Sequence, residues 1–496
     1  MRILSFFIGH DASATILENG RVSFYLSAER ITRKKHCDRI IHVLKYLHKH
    51  GHTKFDVVLV NLYRLDDRKF EDPLRKLFKE EFQIKRIEFD YERHHIYHAY
   101  SGFYNSKFKD ALCIVLDGHG SSVSRDGKLH TEIESVYYAN KKDIVEVSKR
   151  YSLTPGDNQP ISVAYQFEQL SRKIGWDWYG AGKIMGLAQY EGYENKLDKE
   201  WLKHLDQCSD VQRSTQEEVI SLIQNSIQKY DTKNIVLSGG YGLNCVANYE
   251  YLKHFPDYNF YIDPVCFDAG ISIGQAYYHA KNPKPMQNFY VGLSEKRYNL
   301  DGLNHRRVSY SDVADLLCNG EVVAMFQGRS EAGQRALGNR SLLFDPRVEN
   351  GRDIVNKIKQ RESFRPFAGT VLLEDANEWF DMRGLKDCSY MQYAVKVKKT
   401  GIDSIMHVDN TCRIQTVTRK QNKHFYNLIN AFKNKTKVPI ILNTSFNLGG
   451  EPLVETFDDA IRTLKKSDIN YLYLPEIGKL ISVLFYNISN IRCSVN

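Results

Sequence analysis

The first half of the sequence repeats one succession of local signals, and this repetition constrains the fold more than any other feature. Two apolar runs, Ile3–Ile8 and Ala111–Leu116, are typical of buried strands. Each run leads into a short loop containing glycine and aspartate. Each loop is followed by a predicted hairpin turn, at Asn19-Gly20 and at Asp126-Gly127. The repetition predicts an α/β domain built from two similar halves.

A third predicted strand, Ile235–Leu237, runs into Ser238-Gly239-Gly240 and then into a helical stretch. One glycine loop alone would be an ordinary strand–helix turn. Together with the two earlier loops, the spacing resembles the actin/Hsp70-type (ASKHA) ATPase superfamily, whose two halves clamp a nucleotide. The resemblance implies a duplicated domain of this type over residues 1–295. It assigns nucleotide binding in that domain to Lys183, Gly239, Gly240, Asn244 and Asn248.

The stretch Gly328–Ala368 interleaves arginines with glycines and with apolar residues. Guanidinium groups bind phosphates and carboxylates through two parallel hydrogen bonds, and glycine lets the backbone approach an anion closely. The stretch therefore predicts a site for a small, multiply charged anion, in preference to a basic loop paired with acidic side chains. The prediction rests on five of its seven arginines: Arg329, Arg335, Arg340, Arg361 and Arg365.

The same stretch carries a family resemblance. The motifs GR-x-E-x-G-x-RALGNRS and K-x-RE-x-FRPFA resemble those of the carbamoyltransferases of the nodulation-factor, cephamycin and tobramycin type. Further blocks of that family occur in order between Gly9 and Leu474, and the ordered set is far more specific than any single block. These blocks are GHDAS, ER-x-TRKKH, HH-x-x-HA, LDGHG, GKIMGLA, SGGYGLNCVAN, DAG, R-x-QTV and LNTSFN.

The C-terminal part, residues 296–496, resembles a YrdC-like α/β nucleotide-binding domain. The matching elements are Lys359-Gln360-Arg361 and Ser445-Phe446-Asn447. The pattern predicts helices at Asp312–Leu317 and around Asp375–Phe380. It predicts strands at Val322–Phe326, Ile440–Leu442 and Leu480–Tyr486, with residues 443–447 in a loop after the second of these strands.

The resemblance implies a reaction in two steps. The C-terminal domain would bind carbamoyl phosphate and ATP, with Mg²⁺ accompanying the ATP, and form carbamoyl adenylate. The N-terminal domain would then transfer the carbamoyl group to a hydroxyl acceptor. The residues implied in the first step are Arg329, Arg335, Arg340, Lys359, Arg361, Arg365, Arg413, Gln415, Ser445 and Asn447.

A metal site is predicted in the N-terminal domain. His94 and His98 are four residues apart, which places both imidazoles on one face of a helix. A histidine pair alone would be a coincidence of spacing, but Asp117 and Asp268 lie in family blocks and would complete a mixed nitrogen and oxygen set. Such a set suits Fe(II), Mn or Zn, and the resemblance favours iron(II). His95 points to another face and is not expected to be a ligand.

Three further residues are candidates for the transfer step. His10 and Asp11 follow the first strand, and an imidazole there can accept a proton from an attacking hydroxyl. By resemblance, His10 lies at the carbamoyl-transfer centre; the alternative is a structural histidine. Lys35 is a candidate ligand for a nucleotide phosphate or for the carbamoyl oxygen.

Composition limits the class of protein. The net charge of +9 and the pI of about 8.8 suit anionic substrates and permit nucleic acid without requiring it. No apolar run approaches the roughly 20 residues that span a bilayer, so no membrane partner is expected. The nine cysteines include no C-x-x-C pair, which is typical of reduced thiols and predicts a cytoplasmic protein.

The acceptor stays open at this stage, as does the oligomeric state. A small molecule or sugar and a hydroxymethyl-pyrimidine in a nucleotide or in DNA are comparable candidates. The rival functions are a tRNA threonylcarbamoyladenosine-type transferase and a non-catalytic nucleotide-binding regulator. Three residues depart from the family pattern: Ala181 replaces a Glu, while Gln334 and Gly369 each replace a Pro.

Overall fold

The structure is a computed structural model, and it describes residues 1–62, 65–125, 127–153, 161–295 and 297–483. Three sheets organise these residues. Among them, no helix has the length and apolar character that crossing a bilayer requires. Two sequence predictions lie partly outside the described residues, at Asp126 in the second hairpin turn and at residues 484–486 of the last strand.

The first sheet has five strands in the order β3-β2-β1-β4-β5. An antiparallel hairpin lies on one side of β1, and two parallel strands lie on the other. Asn19 and Gly20 form the hairpin turn with φ values of 51° and 80°, as the sequence predicts. The strands are β1 (Arg2–Ile8), β2 (Ser13–Glu18), β3 (Arg21–Ser27), β4 (Lys54–Leu62) and β5 (Gln83–Asp90).

The second sheet repeats this plan. Its order is β11-β10-β6-β8-β7, with β9 paired to β8. Here β6 has the antiparallel strand β8 on one side and the parallel strands β10 and β11 on the other, which matches the surroundings of β1. The predicted repetition is therefore confirmed in the strand order. The strands are β6 (Asp110–Leu116), β7 (Ser122–Arg125), β8 (Lys128–Asn140), β9 (Ile144–Leu153), β10 (Asn234–Ser238) and β11 (Asn259–Ile262).

The third sheet lies in the C-terminal part and has nine strands in the order β12-β20-β19-β13-β14-β18-β15-β17-β16. It mixes parallel and antiparallel pairs. The strands are β12 (His305–Arg307), β13 (Val323–Phe326), β14 (Arg340–Phe344), β15 (Ala368–Leu372), β16 (Ala394–Lys396), β17 (Thr411–Val417), β18 (Ile440–Ser445), β19 (Tyr471–Leu474) and β20 (Lys479–Ser482).

Fifteen α-helices occur among the described residues, and those predicted at Asp312–Leu317 and around Asp375–Phe380 are present as α11 and α13. The helices are α1 (Ala28–Thr32), α2 (Ile40–Lys49), α3 (Glu71–Glu81), α4 (His94–Ser106), α5 (Val163–Lys173), α6 (Ala181–Ala188), α7 (Lys199–Leu202), α8 (Leu205–Ile227), α9 (Cys245–His254), α10 (Ile271–Tyr278), α11 (Tyr310–Cys318), α12 (Gly351–Lys359), α13 (Ala376–Trp379), α14 (Lys423–Thr436) and α15 (Phe457–Lys465).

The predicted end of one strand is wrong. The sequence suggests that β18 stops at Leu442, but the strand continues to Ser445. It pairs with β14 through Ser341 and Ser445, and its other edge pairs with β15. Because backbone hydrogen bonds on both edges hold Asn443 and Thr444 in the sheet, only the last residues of the block form a loop.

Helices α4 and α10 pack against each other at the centre of the N-terminal part, and this contact positions the site. A β-carbon at Gly274 would stand 1.8 Å from the Tyr97 carbonyl oxygen. Only glycine therefore allows α10 to approach α4 so closely. The approach brings the start of α10 next to the first turn of α4, which carries the two histidines of the predicted metal site.

Arginines join the N-terminal and C-terminal parts. Arg30 is buried and donates to Glu455 Oε2 at 3.2 Å and to the Gly333 carbonyl at 2.7 Å. Arg33 donates to the Leu453 carbonyl at 2.7 Å. Charge-assisted hydrogen bonds with this degree of burial resist water and fix the two parts in one arrangement.

Candidate functional site

One cavity of about 1380 Å³ is lined by both predicted sites. From the N-terminal part it receives His10, Asp117 and Asp268, and from the C-terminal part it receives Arg335 and Arg413. The sequence predicts two sites in two domains. The structure places them on the walls of one shared cavity.

The four predicted metal ligands come together. His94, His98, Asp117 and Asp268 are all buried, and each offers a ligand atom within 4.8 Å of the others. His94 Nε2 lies 3.2 Å from Asp117 Oδ2 and 3.4 Å from Asp268 Oδ1. His95 instead faces Ser135, with its Nδ1 2.7 Å from the serine hydroxyl, as expected for a residue on another face of α4.

Glycines set the position of the Asp117 carboxylate. Asp117 follows β6, and its Oδ1 accepts a hydrogen bond from the Gly240 amide at 3.0 Å. Gly239 has a φ of 86°, and a β-carbon there would stand 2.2 Å from the Leu116 carbonyl oxygen. Glycine at this position therefore lets the loop after β10 cross the end of β6 closely. The SGG motif supports the candidate metal ligand through this contact.

The donor set fits a transition metal. His98 is fully buried, and among the described residues neither of its ring nitrogens has a hydrogen-bond partner. Its Nε2 lies 3.9 Å from Asp117 Oδ2 and 3.8 Å from Asp268 Oδ1, with the two carboxylates facing it. A buried imidazole without a partner is costly in a folded protein, and a cation among two imidazoles and two carboxylates would satisfy it.

The charges in this cluster perturb one another. Burial lowers the pKa of His94, but Asp268 and Asp117 outweigh burial and raise that pKa above its usual value. Burial raises the pKa of Asp268, but His94 and His10 hold that pKa well below its usual value. A buried group of two acids and two bases is stable only through such mutual compensation.

His10 lies between two carboxylates. Its Nδ1 is 2.9 Å from Asp11 Oδ2, and its Nε2 is 3.2 Å from Asp268 Oδ2. The other oxygen of Asp11 is 2.8 Å from His36 Nδ1, and the His36 ring stacks on Tyr179. Burial lowers the pKa of His10, and Asp268 followed by Asp11 raises it to about 12. Both ring nitrogens of His10 are thus engaged with carboxylate oxygens.

Basic side chains gather on the opposite wall. Arg335, Arg365 and Arg413 line the cavity together with Lys35 from the N-terminal part. Burial, and then Arg413, lowers the pKa of Arg335 to about 9. Burial, and then Arg365, lowers the pKa of Lys35. Cations held this close to one another need an anion between them to be stable.

The loop that carries Arg335 is shaped by one buried carboxylate. Glu331 Oε1 accepts hydrogen bonds from the backbone amides of Leu337, Asn339 and Arg340, at 2.7, 2.9 and 3.2 Å. The Glu of the GR-x-E motif therefore folds the loop, and Arg335 at its tip stays free to face the cavity. Gln334, one of the departures from the family pattern, lines the cavity beside it.

Lys359 and Arg361 face the same cavity, but both have protein partners. Lys359 Nζ donates to the Asn447 carbonyl at 2.9 Å and to the Ser445 carbonyl. Arg361 Nε donates to Asn356 Oδ1 at 2.5 Å, and its NH2 donates to the Pro366 carbonyl at 3.0 Å. The bonds of Lys359 hold the K-x-R element against the S-x-N element. The four named positions of the two elements all line the cavity: Lys359, Arg361, Ser445 and Asn447.

Three predicted anion-binding residues do not line this cavity. Arg329 donates to the carbonyls of Ser23, Val291 and Gly292, which links the two parts of the chain. Arg340 is fully buried and donates to four backbone carbonyls, while its guanidinium covers the Phe326 ring. Gln415 bonds Thr370, Asn443 and the Leu337 carbonyl. The structure corrects these assignments, because the polar groups of all three residues stabilise the fold.

Only some of the predicted nucleotide-binding residues of the N-terminal part line the cavity. Lys183, Gly240 and Asn244 line the cavity, whereas Gly239 and Asn248 do not. Asn248 Nδ2 donates to the carbonyls of Gly242 and Gln392, so this side chain joins the two parts of the chain. Lys183 Nζ lies 2.7 Å from Glu362 Oε1. Ala181 lines the cavity and supplies no carboxylate there.

Sequence reasoning missed several acidic residues of the cavity, and Glu168 is the one at the transfer wall with a strongly raised pKa. Glu168 on α5 lines the cavity, and burial followed by Asp117 raises the pKa of this carboxylate to about 7. Glu168 belongs to none of the recognised blocks. Its position depends on α5 packing beside the Asp117 loop, and a periodic helix pattern alone does not reveal that contact.

Comparisons with known proteins agree with this arrangement. Residues 183–277 match the family described as carbamoyltransferase N-terminus, and residues 314–479 match carbamoyltransferase C-terminus. The nodulation protein NolO of Bradyrhizobium diazoefficiens is 31% identical over 437 residues, which cover 76% of this chain and 77% of that protein. This chain belongs to the carbamoyltransferase family. It is accordingly a carbamoyl-transferring enzyme.

Other members of the carbamoyltransferase family match over part of the chain. The 3′-hydroxymethylcephem-O-carbamoyltransferase of Amycolatopsis lactamdurans is 33% identical over 237 residues, covering 46% of this chain and 45% of that protein. Among solved structures, a glucokinase from an Antarctic psychrotroph aligns with 56% of this chain and 98% of its own, at 11% identity and a TM-score of 0.32. A TM-score this low supports no argument about this carbamoyltransferase.

Proposed function

We propose that this carbamoyltransferase uses ATP and carbamoyl phosphate to form carbamoyl adenylate, and then transfers the carbamoyl group to a hydroxyl acceptor. In the first step, water cleaves carbamoyl phosphate to carbamate and phosphate, the carbamate oxygen bonds to the α-phosphorus of ATP, and pyrophosphate leaves. The single observation that carries the proposal is the shared cavity, which has an arginine cluster on one wall and a histidine–aspartate cluster on the other. Carbamoyl phosphate and ATP carry negative charge that complements the arginine cluster, whose acidic partner in the cavity is Glu362. A reactive intermediate made at one wall reaches the other within the same space.

The arginine wall supports the first step. Arg335 and Arg413 lie close to each other in the cavity, and the Arg413 Nε is buried with no hydrogen-bond partner in the part of the chain that the structure describes. Guanidinium groups in this state are ready to bind phosphate oxygens and to stabilise the charge that moves onto pyrophosphate as it leaves. Lys35 and Arg365 extend the same positive surface towards the N-terminal part, and Mg²⁺ would accompany the ATP.

In fold terms, the proposal assigns the two repeated sheets to an actin/Hsp70-like domain and the nine-stranded sheet to a YrdC-like domain. The repeated strand order around β1 and β6 supports the first assignment. The contacts of Lys359 with Ser445 and Asn447 support the second. The proposal keeps the domain boundary near residue 295.

The histidine–aspartate wall is proposed to hold one divalent metal, with Fe(II) favoured over Mn or Zn. His94, His98, Asp117 and Asp268 would be its ligands. A bound metal of this kind supplies a Lewis acid that polarises an oxygen of the carbamoyl group or of the nucleotide. The protein residues nearby orient the ligands, and His10 holds the second oxygen of Asp268.

His10 is proposed to act at the transfer centre, but as an orienting residue. The sequence suggests that it accepts the proton of the acceptor hydroxyl. In the structure, both ring nitrogens face carboxylate oxygens at hydrogen-bond distance. This geometry does not favour the assignment of His10 as the base, because no ring nitrogen is directed at an incoming hydroxyl.

The acceptor is proposed to be a hydroxyl group on a small molecule, a sugar, or a hydroxymethyl-pyrimidine of a nucleotide or of DNA. The relative named for 3′-hydroxymethylcephem supports a hydroxymethyl group. The net charge of +9 is compatible with a nucleic-acid acceptor, whose binding would weaken steeply with salt.

The test uses labelled carbamoyl phosphate, ATP and a panel of hydroxyl acceptors that includes hydroxymethylated DNA. We expect pyrophosphate release that depends on carbamoyl phosphate, and labelled carbamate ester on one acceptor. Arg335→Ala should abolish the pyrophosphate release, whereas Arg306→Ala, an exposed arginine on β12, should leave it unchanged. Normal release in the Arg335 variant would refute the assignment of the arginine wall.

A further inference from the structure

The Glu168 carboxylate is held at the transfer wall by local contacts. The α5 N-cap Ser162 donates its hydroxyl to the Gly118 carbonyl at 3.0 Å, which fixes the start of α5 against the loop that follows Asp117. Glu168 lies six residues after Ser162, and a β-carbon placed on Gly118 would stand 3.0 Å from Glu168 Oε1. The carboxylate thus rests against the residue that follows a candidate metal ligand.

Several other acids that line the cavity are already engaged. Asp177, next to the two rings, accepts the Tyr179 amide with its Oδ1 at 3.1 Å. Asp117 and Asp268 belong to the candidate metal set. The two oxygens of Asp11 face His10 and His36, at 2.9 and 2.8 Å. Glu168 differs from all of them, because it has no hydrogen-bond or ion-pair partner among the described residues, and it lines the cavity.

The surroundings of Glu168 also suit an organic acceptor. Trp178 and Tyr179 line the same side of the cavity, and their side chains are 48% and 47% exposed. Tyr179 stacks one face on His36, and Trp178 has one face covered by Arg172. The opposite ring faces can receive a sugar or a heterocycle, which bind well to aromatic side chains.

We propose that Glu168 is the catalytic residue that accepts the proton of the acceptor hydroxyl, at an acceptor subsite between the Asp117 loop and the rings of Trp178 and Tyr179. The inference rests on the proposed function. The acceptor oxygen forms a bond to the carbamoyl carbon. The bond from that carbon to the phosphate oxygen breaks, AMP leaves with its electron pair, and the hydroxyl proton moves to the Glu168 carboxylate.

The proton affinity of Glu168 agrees with this role. Burial, and then Asp117, raises the pKa of Glu168 to about 7. General bases work best when their pKa is close to the operating pH, because they are then both ionised and sufficiently basic. A carboxylate with the usual pKa would be a much weaker base.

The experiment separates the two half-reactions in Glu168→Gln. Methyl glucoside and 5-hydroxymethyl-2′-deoxycytidine serve as hydroxyl probes. Hydroxylamine serves as a nucleophile that attacks through a neutral nitrogen lone pair and needs no base beforehand. We expect transfer to the better hydroxyl probe to fall by about 10²–10⁴-fold. Transfer to hydroxylamine and pyrophosphate release should stay near wild-type values.

Two further variants complete the test. Glu217→Gln removes an exposed carboxylate from α8 and should change neither half-reaction. Glu168→Ala leaves space for an external base, so added formate should restore part of its hydroxyl transfer. The inference would be overturned if Glu168→Gln transferred the carbamoyl group to the hydroxyl probe at the wild-type rate. It would also be overturned if transfer to hydroxylamine fell as much as transfer to the hydroxyl probe. A wild-type protein that releases no pyrophosphate would overturn the proposed function instead.

Discussion

The ammonium of Lys183 lies 2.7 Å from the carboxylate of Glu362, so a predicted nucleotide-binding lysine of the N-terminal part is paired with the arginine-rich segment of the C-terminal part. The pair sits at the edge of the cavity, with the two side chains 25% and 19% exposed. Burial raises the pKa of Glu362, but Lys183, a backbone hydrogen bond and Arg365 together lower that pKa. Lys183 and Arg365 therefore both favour the ionised form of Glu362 beside the arginine wall.

The first prediction concerns this pair. Lys183→Ala should lower the free energy of unfolding by no more than about 1 kcal/mol, because partly exposed ion pairs contribute little. If Lys183 binds the nucleotide during the transfer of the carbamoyl group, the rate of carbamoyl transfer should fall in the variant. The rate of pyrophosphate release should stay unchanged. Pyrophosphate assays and thermal unfolding would measure both. An equal loss of the two half-reactions would instead place Lys183 in the adenylate-forming step.

The second prediction contrasts two arginines of the C-terminal part. Arg413→Ala should abolish pyrophosphate release and leave thermal stability close to wild type, because its Nε has no protein partner. Arg340→Ala should destabilise the protein strongly, by about 3 kcal/mol or more, because four carbonyls lose a buried charged donor. Thermal unfolding and pyrophosphate release separate the two variants. A stable but inactive Arg340→Ala would contradict the structural role given to Arg340.

The third prediction concerns the metal. His98→Ala should lose the bound metal and carbamoyl transfer, while carbamoyl-dependent pyrophosphate release continues at the arginine wall. His95→Gln is the matched control on the same helix, because His95 bonds Ser135 and faces away from the cluster. Elemental analysis of the purified proteins gives the metal content. Full occupancy in His98→Ala would remove His98 from the site.

The fourth prediction concerns pH. Burial raises the pKa of Glu134 on β8 to about 7, with Arg150 opposing the rise and Glu218 adding to it. Between the usual pKa of a glutamate, about 4.3, and pH 7, the folded protein holds a proton at Glu134 that the unfolded chain has lost. Stability therefore falls as pH rises through this window, by at most about 1.4 kcal/mol per pH unit.

Glu134→Gln should remove that contribution. The amide keeps the shape of the side chain. Its oxygen can therefore still accept hydrogen bonds from Arg150 and from the Val163 amide. We expect the urea midpoint of the variant to exceed that of the wild type at pH 8 and to match it at pH 5. If the difference between the urea midpoints of the wild type and the variant is the same at pH 5 and at pH 8, Glu134 keeps its ordinary pKa.

Much of the fold followed from local patterns. The apolar runs at β1 and β6 and the Asn-Gly turn predicted the repeated arrangement of strands, because hydrophobic periodicity and turn chemistry act over a few residues. The end of β18 could not be predicted in this way. Its last residues are held by strands β14 and β15, which are distant in sequence, and such pairing overrides local preference.

The sequence by itself determined the family, the metal candidates and the candidate anion-binding arginines, because these depend on residue types at fixed short spacings. Only the tertiary structure decided which of these arginines face the cavity. Arg335 and Arg340 belong to one motif, yet Arg335 lines the cavity and Arg340 is buried among carbonyls. Only the tertiary structure brought Glu168 to Gly118. Burial and partners are set by contacts between distant segments, and a guanidinium or a carboxylate takes its role from those contacts.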